Sequence, residues 1–413
     1  MSNDYEILTP ETVSEYIEAT ESLRGIVDTS TLEVAEVGDG NLNLVFVCRD
    51  ADGNGICLKQ SLPYVRLVGE AWPLTPERVI AEARGLSAAA AFMPHLIPVF
   101  YGVDPERHVL AMENLIGWEI WRGKLNDGYM HTGVAAMLGE YAANLAFHTS
   151  VFALDQMEVK EKVAEAINPE LCRITEDLVF TEPYIEHDNN SFAQELAPVV
   201  DALRADDVLR GEVGMLKYAF MTKAEALIHG DLHTGSVMVE FTDDGEGDAR
   251  VIDPEFAFYG PVGFDLGAVF GNYLAARARA VVLDRPAEFT EWLAGLAQET
   301  WDAFEAEMRR LWATRPDETW TDSFLDAWLG QVLQDAIGFA GCKATRRIIG
   351  LAKVSDIETL PRPEHSQAAA MVLGTARLWI KGRKSMDSIA ATDDVFIAVS
   401  TAVLADGVQA AVE

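Results

Sequence analysis

Apolar and polar residues follow two different patterns along this chain. In the first part, short runs rich in β-branched residues are separated by glycine-containing turns, which is typical of antiparallel strands. These runs predict strands at 32–37, 42–49, 55–60, 97–103 and 108–112. Two Thr-Pro-Glu sequences, each a typical helix start, predict helices over 10–24 and 75–91.

From residue 118 onward, apolar residues recur at the spacing of an amphipathic helix. The clearest example lies at 324–337, where this spacing predicts one long, half-buried helix. One β-rich island interrupts the helices, with predicted strands at 226–229, 237–241 and 250–252. The sequence therefore predicts an α+β protein of two packed units: residues 1–112 with an antiparallel sheet, a connection at 113–117, and a mostly helical unit at 118–413.

Composition excludes several classes of protein. Of the 413 residues, 49% are hydrophobic and 24% are charged, which excludes a largely disordered chain. The 32 basic and 66 acidic residues leave a formal net charge of −34. A surface this acidic repels nucleic acid and anionic lipid, so we expect neither as a partner.

Cysteine usage and the absence of targeting signals favour the cytoplasm. The four cysteines form no CxxC pair and are too sparse for a secreted disulfide scaffold. A cross-strand disulfide between Cys48 and Cys57 stays open as an alternative to free thiols. The first residues are acidic where a signal peptide is basic and apolar, and no run reaches the roughly 20 apolar residues of a membrane span. We therefore expect a cytoplasmic protein without a membrane partner.

A glycine-rich turn and a strand lysine are the first candidate binding groups. The sequence VGDGNLN at 37–43 offers backbone N–H groups that can approach a phosphate, although a plain hairpin turn explains its glycines equally well. Lys59 ends an apolar strand, where its ammonium group would suit a phosphate oxygen. Glu82 on the following helix is a candidate ion-pair partner. The alternative for Lys59 is a solubilising charge on an edge strand.

Acidic residues that follow two short strands form the strongest chemical signal. Asp231 lies in LIHGDLHTGS at 227–236, and Asp253 and Glu255 lie in VIDPE at 251–255. Side chains just beyond neighbouring strand ends project into a shared crevice, so we expect these carboxylates to meet. Asp231 would accept a proton or orient a hydroxyl, while Asp253 and Glu255 would supply oxygen ligands for Mg²⁺. Turn or cap residues are the alternative interpretation.

The order of these features resembles the protein-kinase-like fold, in its small-molecule kinase branch, where His-Gly-Asp replaces His-Arg-Asp. Several longer strings are similar to the 5-methylthioribose kinase family of methionine salvage, and the resemblance spans roughly residues 5–385. These strings are GDGNLN at 38–43, VGEAWPLT at 68–75, NPELC at 168–172, LIHGDLHTGS at 227–236, VIDPEFAFYGPVGFDLG at 251–267 and GFAGCKATRRIIGLAKVSD at 338–356. The resemblance implies a bilobal fold, with a small N-terminal lobe and a larger helical C-terminal lobe.

The resemblance also implies roles for individual residues. Asp231 would be the catalytic base, and Asp253 with Glu255 would be the metal-binding pair. ATP would bind through the glycine-rich turn, the strand lysine with its helix partner, and the connection between the lobes: Gly38, Gly40, Asn41, Asn43, Lys59, Glu82, Glu113 and Leu115. The sugar and the transferring phosphate would bind through Asp231, Trp72, Arg346 and Arg347, and both arginines would also act in catalysis.

Some of these positions pose a structural question. Arg346 and Arg347 are adjacent, and adjacent helical residues diverge by about 100°, so both reach one atom only if the helix begins or ends there. Surface arginines on an acidic protein are the alternative. Ser236 stands where related kinases carry a metal-binding asparagine, so we expect Glu255 to take that role. Asp265 is expected to brace the catalytic loop.

The resemblance therefore implies a magnesium-dependent kinase that transfers the γ-phosphate of ATP to the anomeric hydroxyl of 5-methylthioribose. Two alternatives stay open: a kinase of the same fold acting on choline or an aminoglycoside, and a non-catalytic nucleotide-binding or scaffold protein. Cationic acceptors call for an acidic pocket, which Arg346 and Arg347 would oppose. The expected partner is a small molecule, and the resemblance further implies a homodimer.

Overall fold

The computed structural model describes residues 6–37, 42–66, 69–242 and 246–412. Its strands are β1 (Glu33–Val37), β2 (Asn43–Arg49), β3 (Gly55–Ser61), β4 (Tyr64–Val65), β5 (Gly69–Pro73), β6 (Phe100–Asp104), β7 (Val109–Glu113), β8 (Glu119–Ile120), β9 (Ala226–Ile228), β10 (Val237–Phe241), β11 (Gly247–Val251) and β12 (Phe258–Gly260). Five of them form one antiparallel sheet in the order β1-β2-β3-β7-β6. These are the five strands that the first part of the sequence predicts.

Helices make up most of the remaining chain. They are α1 (Val13–Ala19), α2 (Arg78–Phe92), α3 (Trp121–Asp127), α4 (Val134–His148), α5 (Gln156–Glu165), α6 (Pro169–Phe180), α7 (Ala197–Ala205), α8 (Asp207–Thr222), α9 (Gly263–Val282), α10 (Ala287–Trp312), α11 (Asp322–Ile349), α12 (Ser355–Glu358), α13 (Glu364–Gly382) and α14 (Ile389–Asp406). The apolar repeat at 324–337 lies in α11, a helix of 28 residues, which confirms the predicted long helix.

The two faces of the five-stranded sheet are covered by different helices. On one face, Cys48 and Leu58 belong to an apolar cluster with residues of α1. On the other face, Cys57 packs with the apolar side of α2. Because side chains alternate along a strand, Lys59 shares the α2 face with Cys57. The same alternation excludes the predicted disulfide alternative: Cys48 lies opposite Ile56 in the β2–β3 register, and all four cysteines are free.

Helices α9 and α11 pack closely against each other in the larger lobe. Gly263, Gly267 and Gly271 recur every four residues on α9, and a Cβ atom at any of them would lie 2.7 to 2.9 Å from a carbonyl oxygen of α11. Residues four apart share one helix face, so these glycines form the line along which the two backbones approach. The contact fixes the start of α9, with Asp265, against the helix that carries the arginine pair.

The predicted β-rich island belongs to two separate sheets. β9 pairs with β12, whereas β10 pairs with both β11 and β8. The three predicted strands are present as β9, β10 and β11. The sequence did not predict β8 and β12, because two and three residues are too few to show a periodic pattern. Asp231 follows β9 and Asp253 follows β11, so each sheet ends beside a predicted site residue.

Several boundaries differ from the sequence predictions. α1 begins at Val13 and ends at Ala19, shorter than the predicted helix over 10–24, and a 3-10 turn follows it. Residues 114–118 connect β7 to β8, whereas the sequence predicted a connection at 113–117; the lobe boundaries themselves stay a prediction. Within the described ranges, every helix is too short or too polar to cross a bilayer.

Candidate active site

Lys59 lies at the centre of the sheet and faces α2. Its Nζ donates to Glu82 Oε1 at 2.9 Å and contacts Asp253 Oδ1. The side chains of Lys59 and Glu82 are 7% and 0% exposed, whereas that of Asp253 is 44% exposed. Because β3 has neighbours on both sides, the edge-strand alternative for Lys59 is wrong. The lysine instead forms the ion pair with the helix glutamate that the sequence suggests.

Three carboxylates meet around this lysine. Oxygen atoms of Glu82, Asp253 and Glu255 lie within 4.8 Å of one another. Carboxylate oxygens are the ligands that Mg²⁺ prefers in proteins, so this donor set fits a divalent cation. Asp253 has a left-handed φ of 71°, a conformation that is strained for a non-glycine residue and often marks functional sites. The chain thus brings together the two residues predicted to bind metal and adds Glu82.

Glu255 is held in place by a buried polar network. Asn43 Nδ2 donates to its Oε2 at 2.7 Å, and Arg78 Nε lies 3.4 Å from the same oxygen. Arg78 Nη2 in turn donates to Asn43 Oδ1 at 2.7 Å. From the other side, Asn168 Nδ2 donates to the Glu255 carbonyl at 2.9 Å. Asn43 therefore supports Glu255 here, and its predicted contact with ATP stays a prediction.

Burial and charge shift the pKa values of this cluster in different directions. Burial raises the pKa of Glu82, against the opposing charge of Lys59. Burial raises the pKa of Glu255 as well. For Asp253, burial acts upward but Lys59 more than compensates, so the pKa lies below its usual value. The three carboxylates outnumber the two cations that contact them, Lys59 and Arg78, and this imbalance favours a bound cation.

The loop after β9 is pinned against the loop after β11. Asp265 accepts hydrogen bonds from the amides of His229 at 2.7 Å and Gly230 at 2.9 Å, which is the bracing role expected for it. Gly230 has a φ of 81°, and a Cβ atom there would lie 2.2 Å from the carbonyl oxygen of Phe256. Only glycine fits at this position, where the two loops pass close to each other. His229 Nε2 also lies 2.9 Å from the Ile252 carbonyl, which ties the two acidic loops together.

Asp231 emerges from this pinned loop into cationic surroundings. Lys343 Nζ contacts its Oδ1, and His233 Nε2 lies 3.3 Å from its Oδ2. Burial raises the pKa of Asp231, but Lys343, His233 and Arg347 lower it well below the usual range. Ser236 Oγ donates to the Asp231 carbonyl at 3.1 Å, so the residue at the expected asparagine position supports the loop.

Three cations approach Asp231 from the last turns of α11. Residues three and four apart share a helix face, so Lys343 lies on the same side as Arg346 and Arg347. The helix ends at Ile349, directly after the pair, which supplies the helix end that adjacent arginines require. Arg346 is 9% exposed, and its Nε has no hydrogen-bond partner among the residues that the structure describes. Arg346 is buried and Arg347 is half-buried, so the surface-arginine alternative is wrong for Arg346, and the catalytic role of both stays a prediction.

Trp72 packs with Val65, Leu74 and Leu171 and lines a cavity of about 710 Å³ between β5 and α6. The described lining of this cavity includes neither Asp231 nor the arginine pair. The role of Trp72 over the substrate stays a prediction.

The predicted ATP contacts in the glycine-rich turn and in the connection after β7 are not tested by the structure. Gly38, Gly40 and Asn41 lie outside the described residues. The Glu113 amide donates to the Val99 carbonyl at 2.8 Å, so this N–H group is already paired. The Leu115 carbonyl accepts from the Trp118 amide at 3.2 Å. Their predicted contacts with adenine stay predictions.

Several site residues were missed by the sequence reasoning: Arg78, Arg122, Asn168 and Lys343. Lys343 could have been found from its spacing of three and four residues to the arginine pair, had the predicted helix at 324–337 been extended past 347. Arg122 donates to Asn272 Oδ1 at 2.7 Å and lies 3.3 Å from Asp356 Oδ2. These partners come from distant parts of the chain, and no local pattern marks such contacts.

Known proteins resemble this chain over most of its length. A family model described as "Phosphotransferase enzyme family" matches residues 34–298. The "Methylthioribose kinase" of Geobacillus kaustophilus (strain HTA426) is 42% identical over 345 residues, which cover 83% of this chain and 85% of that protein. The "Methylthioribose kinase" of Yersinia enterocolitica is 40% identical over 390 residues, with 92% and 96% covered.

Among solved structures, a microcompartment-associated aminopropanol kinase matches with a TM-score of 0.48 and 14% identity, over 92% of this chain and 99% of that one. The family assignment follows from the sequence matches, which exceed 40% identity over more than four fifths of the chain for the Geobacillus relative. The chain belongs to the methylthioribose kinase family, within the phosphotransferase enzyme family.

Proposed function

We propose that this protein phosphorylates 5-methylthioribose on its anomeric hydroxyl, with ATP as the phosphate donor. The observation that carries the proposal is its identity of 42% to a curated methylthioribose kinase over 83% of the chain. Two adjoining clusters of opposite charge support it, because phosphoryl transfer requires charge neutralisation on the phosphates and orientation of the acceptor.

Magnesium fits the carboxylate cluster by the chemistry of its donors. Asp253 and Glu255 would hold the ion, because Glu82 is fully buried and already bound to Lys59. Magnesium held by these residues would supply positive charge that offsets the negative charge of the ATP phosphates. Lys59, kept in place by Glu82, would bind a further phosphate oxygen as a fixed positive charge.

Asp231 would act on the acceptor hydroxyl. An anomeric hydroxyl is more acidic than an ordinary alcohol, so a carboxylate with a lowered pKa is sufficient to orient it and to take its proton late. The hydrogen bonds that Asp265 accepts from the amides of His229 and Gly230, and the close approach of Gly230 to Phe256, keep the Asp231 loop in a defined position. Catalysis would then depend chiefly on positioning.

Arg346 and Arg347 would stabilise the transferring phosphate. Both are charged groups in a buried setting, where an electrostatic interaction is stronger than in water. The unpartnered Nε of Arg346 is a hydrogen-bond donor available to a phosphate oxygen or a sugar hydroxyl. We further propose that ATP contacts the glycine-rich turn at 37–43, Glu113 and Leu115. Trp72 would cover the bound substrate.

The rival acceptors have the opposite charge requirement. Choline and aminoglycosides are cations, whereas Lys343, Arg346 and Arg347 crowd the acceptor side of Asp231. We also propose, from the family resemblance, that the protein is a cytoplasmic homodimer. Light scattering of the purified protein tests the dimer, and fractionation of expressing cells tests the location.

A coupled assay of ADP release tests the function. The purified protein is supplied with magnesium-ATP and, in parallel, with 5-methylthioribose, choline, an aminoglycoside or no acceptor. We expect turnover with 5-methylthioribose well above the acceptor-free rate, and a phosphorus NMR signal of an anomeric phosphate ester in the product. Turnover with choline or the aminoglycoside alone would contradict the proposed substrate, and ATP binding without turnover on any acceptor would favour a scaffold.

A further inference from the structure

Lys343 is a buried charge beside Asp231 to which the mechanism above gives no role. Its side chain is 4% exposed, its Nζ contacts Asp231 Oδ1, and the same nitrogen lies 5.0 Å from the centre of the Phe264 ring. Removing a charge from water is unfavourable, and a partner of opposite charge offsets this cost. The carboxylate and the aromatic face compensate this cost, so the lysine has a fixed place in the site.

The contact engages one of the two carboxylate oxygens of Asp231. His233 Nε2 lies 3.3 Å from the other oxygen, Oδ2, and the Asp231 side chain keeps an exposure of 19%. Burial lowers the pKa of His233 to about 3, against the opposing effect of Asp231, so this imidazole is neutral at pH 7. Lys343 is therefore the cation in direct contact with the carboxylate.

We propose that Lys343 is a positioning residue, which holds the Asp231 carboxylate ionised and in one orientation for the acceptor hydroxyl. This inference rests on the proposed function, because it assumes that Asp231 receives the hydroxyl. Lys343 lies one helical turn before the arginine pair on α11. A single helix face therefore orients Asp231 and supplies the cations proposed to bind the phosphate. A lysine at this place acts through Asp231 and needs no contact with the substrate.

The charges around the pair determine how its loss would appear. The charged and titratable groups that face Asp231 or Lys343 are His233 on the catalytic loop, Asp253 on the metal-binding loop, Asp265 on α9, and Arg346 and Arg347 on α11. Burial lowers the pKa of Lys343 to about 8, so it is charged at neutral pH and below. Without that charge, burial would raise the pKa of Asp231 from its low value toward the assay range.

The test is the pH dependence of turnover in Lys343→Met, a substitution of similar length without charge. We expect kcat at pH 7 to fall on the order of tenfold or more, and KM for both substrates to change by less than about threefold. The acid limb of the kcat profile should move to higher pH by about one unit or more relative to the unaltered protein. A profile that superimposes on that of the unaltered protein, or a loss confined to KM, would overturn the proposal.

Lys223→Met is the matched control. Lys223 donates to Asp335 Oδ2 at 2.6 Å, so it also forms a lysine–aspartate pair with a neighbouring helix, away from Asp231. We expect its pH profile to match that of the unaltered protein. A shift of the acid limb in both variants would assign the effect to general destabilisation and overturn the positioning role.

Measurements on the unaltered protein cover two further cases, a Lys343→Met variant that does not fold and a protein that lacks the proposed activity. If Lys343→Met does not fold, a kcat that stays constant from pH 7 to pH 5 in the unaltered protein supports an Asp231 held ionised, and a fall within that range overturns it. If the unaltered protein does not phosphorylate 5-methylthioribose at all, the proposed function fails, which is distinct from a failure of the inference about Lys343.

Discussion

The two charged centres of the site have opposite polarity. Beside the sheet, three carboxylates surround Lys59; beside the helices, the single carboxylate of Asp231 faces the cations of α11. The first centre has an excess of negative charge and the second an excess of positive charge. The first is therefore suited to a metal cation and the second to a phosphate anion, although the whole chain carries a net charge of −34. The net charge of the chain therefore did not predict the sign of the charge at either centre.

The two centres also differ in how they are assembled. The carboxylate centre draws Lys59 from β3, Glu82 from α2, and Asp253 and Glu255 from one loop, so several elements must pack correctly to form it. The cations of the second centre come from two adjacent turns of a single helix. We expect substitutions on α11 to be strongly coupled, because its charged side chains share one partner.

Removing the charge of Asp231 should have the largest effect. Asp231→Asn keeps the shape of the side chain but cannot accept the hydroxyl proton, so we expect kcat to fall about 10³- to 10⁴-fold with the KM for ATP nearly unchanged. Steady-state kinetics with saturating magnesium measure both quantities, and circular dichroism checks the fold. Turnover within a few fold of the unaltered protein would remove Asp231 from the mechanism.

Removing one carboxylate of the other centre should change metal dependence instead. Asp253→Asn weakens the oxygen ligand, and we expect the magnesium concentration for half-maximal rate to rise about tenfold or more. Titration of the rate with magnesium at fixed ATP measures this. Asp248→Asn, on β11 but paired with Arg250, is the matched control and should keep the original magnesium dependence. An unshifted titration in Asp253→Asn would contradict its assignment as a ligand.

Loss of the buried helix glutamate should have the smallest effect. Glu82→Gln removes a charge-assisted hydrogen bond to Lys59, while the lysine keeps its contact with Asp253. We expect the KM for ATP to rise by about three- to tenfold, with a smaller change in kcat. Initial rates over a range of ATP concentrations decide it. A larger loss than that of Asp231→Asn would place Glu82 closer to the chemistry than the proposed mechanism does.

The part of the fold that has regular local patterns could be predicted. The five strands of the large sheet and the long helix α11 have enough residues to show a period. The predicted strands agree with the structure within a few residues, and α11 contains the predicted stretch 324–337 but continues to Ile349. β8 and β12 have too few residues for any period, so their pairing with distant strands was not predictable. The same holds for the turn that shortens α1, which depends on local hydrogen bonds that no periodic pattern reports.

For the site, the sequence alone determined which residue types follow which strands, because short motifs such as HGDLHTGS and VIDPE carry both the strand and its acidic end. The tertiary structure decided which charges meet. It brought Lys343 to Asp231 and Asn43 with Arg78 to Glu255, and it placed Trp72 at a cavity between β5 and α6. The physical reason is that electrostatic pairing and burial depend on distances between segments, and these distances are set only when α2, α9 and α11 pack against the sheets and loops.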